Sequence, residues 1–282
     1  MDWALDPGAV LGIAVAEGLY LRALRVLGRR GVDVRPAQVV LWHLGITLWV
    51  IGLLSPIHTL GEELLSFHMA QHLLIADLAA PLLLAGARNP VLMFLLPREI
   101  LVPLAHQHRL RSAFRWIRQP LVAIPIYVLV LYGWHFTFMF EAAVRSPLVH
   151  ALQHASFIGI GVLVWWSVLE PKRRRLRPEL WKIGHILGAR MLGMMLGMAF
   201  VFTRTPLYTG VYGSGERRYG LSPVDDQQIA GGLMITVDIY LMLFALAFLF
   251  YRAAQASARE EEAERAAHGI AESYAATTRF GA

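Results

Sequence analysis

The chain has 282 residues, of which 56% are hydrophobic and only 16% charged, a balance that excludes an ordinary soluble domain and points to a membrane protein. It contains no cysteine, which excludes disulfides, thiolate ligands and iron–sulfur clusters and leaves His, Met, carboxylate or backbone oxygen to hold any metal. The net charge of +6 does not call for nucleic acid, because Lys and Arg sit in short connections between apolar runs, where membrane topology accounts for them.

In chain order, the apolar runs predict an all-α membrane protein, a bundle of seven transmembrane helices over about 8–28, 37–57, 64–86, 120–140, 148–170, 182–203 and 229–251. The opening MDWALDPGAV is acidic and lacks a basic n-region, so no removed leader is expected. The piece at about 90–105 is bounded by prolines and interrupted by Arg98 and Glu99, and reads as a helix on the membrane surface. The charged, Ala-rich segment 252–282 reads as a solvated tail.

Alternate connections are basic. Arg29, Arg30 and Arg35 lie in the first, Arg88, Arg98, Arg109, Arg111, Arg115 and Arg118 in the third, and Lys172, Arg173, Arg174, Arg175 and Arg177 in the fifth. The second connection has only Glu62 and Glu63, the fourth has Arg145, and the sixth balances its arginines with Glu216, Asp225 and Asp226. The positive-inside rule then puts the N-terminus outside and the C-terminus in the cytoplasm.

With that orientation the histidines fall into register. HMAQH places His68 and His72 one helical turn apart in the outer half of the third span, and HALQH does the same for His150 and His154 in the fifth. His135, in YGWHF, falls near the outer end of the fourth. Five histidines from three consecutive spans thus share one layer. Polar groups inside a membrane face a partner or ligand rather than lipid, and neutral imidazole is a common ligand for copper, zinc and iron. Interhelical hydrogen bonding is the alternative for each pair. Gln71 and Gln153 suit either orientation of the ligands or contacts between helices. His43 and His185 fall in the inner halves of their spans and read as separate.

Other features read more plainly. Trp134 and Tyr132 suit an interfacial aromatic belt. Met191, Met194, Met195 and Met198 suit core filling, with a thioether path for Cu(I) as the minority reading. Among the mid-membrane charges Glu17, Asp77, Arg190 and Asp238, a structural ion pair between Asp77 and Arg190 is expected from their similar depth. Asp225 and Asp226 either cap the last span or, in one of the two, close the outer metal site.

Four stretches, SPIHTLGEELLSFHMAQHLLIADLAAPLLLAG (55–86), YGWHF (132–136), HALQHASF (150–157) and DDQQIAGGLM (225–234), resemble the CtaG-type cytochrome c oxidase assembly factors of bacterial membranes. The sequence departs from that pattern at Ile235, where tryptophan is expected. The resemblance implies a multi-pass protein of the bacterial plasma membrane that serves haem–copper oxidase subunits and handles copper; no nucleophile-and-base constellation stands out among the residues, so no catalytic residue is expected. It points to His68, Met69, His72, His135, His150, His154 and Asp226 as the metal-binding set. The residues alone leave two rivals open: a zinc-dependent intramembrane hydrolase and a haem-b electron carrier.

Overall fold

A computed structural model describes Trp3 and residues 6–169, 180–213 and 218–279, and among these it contains helices and no strand. The helices are α1 (Pro7–Arg29), α2 (Pro36–Leu54), α3 (Pro56–Glu63), α4 (Leu65–His72), α5 (Ala79–Gly86), α6 (Arg98–His106), α7 (His108–Ile117), α8 (Pro120–His135), α9 (Thr137–Arg145), α10 (Pro147–Leu169), α11 (Leu180–Phe202), α12 (Thr209–Tyr212) and α13 (Pro223–Arg279). Proline opens α1, α2, α3, α8, α10 and α13. It suits the first helical position, where its fixed φ is already helical and its missing N–H would have had no partner.

Five helical runs are long and apolar enough to cross a membrane: α2, the run Leu65–Gly86, α10, α11 and α13. A sixth is added if α7 and α8, bent by 77° at their junction, count as one span. The remaining expected span, α1, is long enough at 23 residues but carries Glu17, Arg22 and Arg25. Glu17 is accounted for within the helix pair, because it accepts from Trp42 Nε1 at 2.8 Å and lies 3.1 Å from His43 Nε2. Tyr20 stacks on Trp42 with ring centroids 4.2 Å apart, which seats α1 on α2.

Several expected boundaries are corrected. The fourth span stops at His135 rather than continuing to 140, since Phe136 is extended (φ −62°, ψ 135°) and α9 starts at Thr137. The surface piece at 90–105 divides into a 3₁₀ turn at Val91–Met93 and α6, with α7 following. The segment after 251 continues α13, which runs unbroken for 57 residues to Arg279, and most of its described side chains are exposed. The basic run Lys172–Arg177 used for orientation lies outside the described residues, as do Glu216 and Arg217. Met191, Met195 and Met198 are exposed rather than core-filling. The polar atoms of Tyr132 and Trp134 bond within the bundle, to Leu192 O at 2.9 Å and Ser156 Oγ at 2.7 Å.

The third span is not a plain α-helix. Residues Leu73–Leu78 form a turn of π-helix directly after His72. Such turns widen the helix and recur at functional sites. Here Trp49 Nε1 donates to Ile75 O at 3.0 Å. On the other side Gly161 of α10 lies so close that a Cβ there would sit 2.4 Å from Ala76 O. Only glycine lets α10 pack against this turn.

The expected Asp77–Arg190 pair is present and has a third member. The buried Arg190 Nη1 of α11 lies 2.5 Å from Asp77 Oδ1 in the π turn and 2.7 Å from Asp238 Oδ1 in α13. Gly193, one turn along α11, makes room for this arrangement, since a Cβ there would stand 2.3 Å from Asp238 Oδ2. Removing one partner of a buried ion pair costs roughly 3–5 kcal/mol when a charge is left uncompensated. Arg190→Met strands two carboxylates and should lower the thermal unfolding midpoint in detergent strongly. Asp77→Asn leaves Arg190 paired with Asp238 and should lower it much less. Equal losses would show that Asp238 does not compensate the guanidinium.

Candidate metal centre

The histidine helices are positioned from their ends. Leu64, extended at φ −129° and ψ 128°, precedes α4 and has no side chain able to cap it. The four leading N–H groups of a helix need partners from elsewhere. Asp226 of α13 supplies them: Leu65 N donates to its Oδ2 at 2.7 Å and Ser66 N to its Oδ1 at 3.0 Å. The fully buried carboxylate also suits the positive end of the α4 dipole. Its neighbours complete the pattern. Asp225 and Ser222 cap α13 reciprocally, with Ser222 Oγ donating to Asp225 Oδ2 at 2.5 Å and Asp225 N to Ser222 Oγ at 3.1 Å. Gln227 receives Leu207 N at 2.9 Å and donates to Phe200 O at 3.3 Å, and Gln228 donates to Val201 O at 3.0 Å. The DDQQ run therefore closes the ends of three helices.

With α4 anchored in this way, α4 and α10 bring their histidines face to face. Ring centroids are 4.5 Å apart for His68 and His72, 4.1 Å for His150 and His154, 5.1 Å for His68 and His150, and 5.1 Å for His72 and His154. One ring nitrogen from each of His68, His72 and His150 lies within 4.8 Å of the other two. At ~2.1 Å per bond, three nitrogens evenly spaced on one ion stand at most about 3.6 Å apart, so the three must draw together by up to about 1.2 Å. Nε2 of His68, His72, His135, His150 and His154, and Nδ1 of His72, are buried without a hydrogen-bond partner among the described residues. Buried polar atoms are normally paired. A cation would engage several of these lone pairs together, so the donor set fits a metal.

Two of the rings have their lone pair directed by a partner. His135 Nδ1 lies 2.6 Å from Leu131 O. A carbonyl only accepts, so Nδ1 carries the proton and Nε2 the lone pair. Tyr212 donates its hydroxyl proton to Gly61 O. His68 Nδ1, 3.4 Å from that hydroxyl, must then be the donor, which again leaves Nε2 as the free base. His135 does not join the tight group. It faces His72 across Phe157, whose ring is 4.7 Å from His72 and 6.1 Å from His135. Phe140 closes the other side, 4.9 Å from His68.

Met69 is buried beside the histidines. It borders a cavity of about 40 Å³ together with His72, His135, Met234, Asp77 and Asp238. That is room enough for a water molecule, and it links the imidazoles to the carboxylates around Arg190. Asp226 lies outside the imidazole group, with both oxygens engaged by α4. His43 is half-exposed on α2, and His185 bonds to Val164 O at 3.2 Å, so both stand apart as expected. One histidine escaped the sequence reading: His58 of α3 stacks 5.8 Å from His150, and its Nδ1 lies 2.8 Å from Gln71 Nε2. Its place in the connection on the same side as His68 was the signal available. Gln71 thus orients His58 rather than either histidine beside it in HMAQH.

A family model described as cytochrome c oxidase caa3 assembly factor matches residues 18–256. Among curated proteins, uncharacterized proteins of Mycobacterium bovis and Mycobacterium tuberculosis are each 25% identical to the chain over 261 residues, covering 86% of it and 38% of their own length. An uncharacterized protein of Mycobacterium leprae is 27% identical over 239 residues, covering 79% of the chain and 34% of its own length. The chain therefore spans little more than a third of these relatives. No solved structure matches it significantly.

Asp226→Ala removes both acceptors from the start of α4. Loss of a helix N-cap costs about 1–2 kcal/mol, so the thermal unfolding midpoint should fall. An unchanged midpoint with diminished metal binding would instead make Asp226 a ligand.

Proposed function

Because this chain belongs to the cytochrome c oxidase caa3 assembly factor family, we propose that it assists assembly of a haem–copper oxidase by holding copper at a histidine centre. His68, His72 and His150 are the primary ligands. His154 lies beside them, and His135 and Met69 border the adjoining cavity as secondary positions. The observation that carries the reading is the mutual approach of the buried His68 and His72 and the half-buried His150, with ring nitrogens within 4.8 Å and each Nε2 without a hydrogen-bond partner among the described residues.

Copper is preferred on the chemistry of the donors. Imidazole binds it well, a thioether suits its reduced form, and copper stands high in the divalent affinity order. When bound, copper would supply a cargo for delivery to the oxidase. The chain's own residues supply the ligands, direct the lone pairs of His68 and His135, and surround the centre with the rings of Phe140 and Phe157. The centre belongs near the external face of a bacterial plasma membrane, on the side away from the basic connections. The oxidase subunits are the partners, and the chain is not itself an enzyme.

The rivals fit less well. A zinc hydrolase needs a general base beside an open coordination position, and the carboxylates near the histidines are engaged, Asp226 as a helix cap and Asp77 and Asp238 with Arg190. A haem needs a flat slot between axial ligands, whereas the imidazole rings lie 4–6 Å from one another and the adjoining cavity is about 40 Å³.

Anaerobic titration of the metal-free protein with Cu(I) tests the reading. His72→Ala and His150→Ala should each weaken binding at least tenfold, and combining them should add little, because ligands of one centre act as a unit. His43→Ala should bind as the parent does. Oxidase activity in cells should fall with the first two variants and not with the third, at equal amounts of the assembly factor in the membrane. Undiminished copper binding in the double variant would return the histidines to interhelical packing.

A further inference from the structure

Membrane topology accounts for the charge of the connection between α5 and α8, but not for its arrangement. In α7, HRLRSAFRWI, successive side chains are ~100° apart around the axis. Arg111 and Arg115, with Arg118 at the C-terminal cap, fall within one sector of roughly 60°, and Leu110, Phe114 and Ile117 occupy an adjoining sector. No residue of α7 is buried, and Leu110 and Phe114 are exposed. An apolar stripe edged by arginines is the pattern of a helix lying in the membrane interface.

A groove of about 300 Å³ opens beneath the α7–α8 bend, walled by Phe114, Ile126, Val130, Ile160 and Trp166. It follows α10 from Trp166 to Ser156, about 15 Å at 1.5 Å per residue. The one hydroxyl along it is engaged elsewhere, since Ser156 Oγ receives Trp134 Nε1 at 2.7 Å and donates to Gln153 O at 2.8 Å. The groove therefore suits an apolar occupant. Its mouth is cationic: the Arg118 guanidinium lies 4.8 Å over the Phe114 ring and 5.8 Å over Trp166.

We propose that this groove binds one anionic phospholipid, with an acyl chain between α8 and α10 and the phosphate against Arg111, Arg115 and Arg118. An apolar slot that runs along a span and ends at Arg118, with Arg115 and Arg111 following in the same sector of α7, matches an amphiphile with a negative head. A soluble acidic partner would use the arginines and leave the slot unfilled. Basic side chains at a membrane surface attract anionic lipid in the same way. The headgroup end of the site, at Arg118 and Trp166, lies about three turns along α10 from His154, and the proposal is independent of the copper reading.

The test counts lipids bound to the full chain by native mass spectrometry. The protein is titrated in detergent with phosphatidylglycerol and separately with phosphatidylcholine of the same chains. Phosphatidylglycerol should saturate at one copy and bind at least tenfold tighter than phosphatidylcholine. Arg111→Gln combined with Arg115→Gln should remove that preference while leaving phosphatidylcholine binding unchanged. Gly159→Phe should weaken both lipids, because a Cβ at Gly159 meets no atom within 4 Å and the ring would fill the groove. Thermal unfolding midpoints should match the parent, and Gly159→Leu replaces the Phe variant if its midpoint falls. Equal affinity for the two lipids overturns the proposal. So does loss in the arginine variant alone, which would leave a headgroup patch without a groove.

Discussion

The carboxylate of Asp226 is the contact on which the arrangement of the histidines depends. Away from water a helix terminus must find its hydrogen-bond partners within the protein. α4 begins after a leucine and cannot cap itself, so its first N–H groups are taken by a side chain 160 residues further along the chain. That contact sets where α4 starts and therefore the height at which His68 and His72 stand. The adjoining glutamines secure the end of α11, so one short run on α13 holds three helices together at the histidine level.

A second constraint acts deeper in the bundle. Arg190 draws Asp77 of the π turn and Asp238 of α13 onto α11. A buried guanidinium without carboxylates would be prohibitively costly, so these helices are tied in register at two depths. The π turn carries the deeper tie through Asp77 and starts directly after His72. Its widened backbone is received by Gly161 and capped by the Trp49 indole, and the small cavity between His72 and Asp238 opens beside it. The histidine cluster thus lies beside two ties, the Asp226 cap and the Arg190 charge set, while the Nε2 atoms of its imidazoles have no hydrogen-bond partner among the described residues.

Much of this was legible from the residues. The spacing in HMAQH and HALQH put each histidine pair on one helical face, and counting depth from the basic connections brought the pairs to one layer. The Asp77–Arg190 pair followed from depth as well. For His58 only its place in the connection beside His68 was legible, because it lies on a short helix that no hydropathy pattern marks, and only the fold of α3 onto α4 brings it to His150. Asp238 was visible as a misplaced charge without an address. The methionines of α11 carried the right spacing for a core face, but spacing cannot tell a face that meets other helices from one that meets lipid, since both are apolar.

Composition and period by themselves determined that this chain is a helical membrane protein, where most of its apolar helices run, and which histidines share a face. Those properties are local: they depend on side-chain hydrophobicity and on the 3.6-residue turn. Tertiary structure alone decided that Asp226 caps a helix, that Asp238 completes the charge set around Arg190, that the third span widens after His72, and that His68, His72 and His150 approach one another more closely than either approaches His135. Each of these joins residues distant in the chain, and the need to satisfy buried polar groups, which has no signature in a linear pattern, is what selects them.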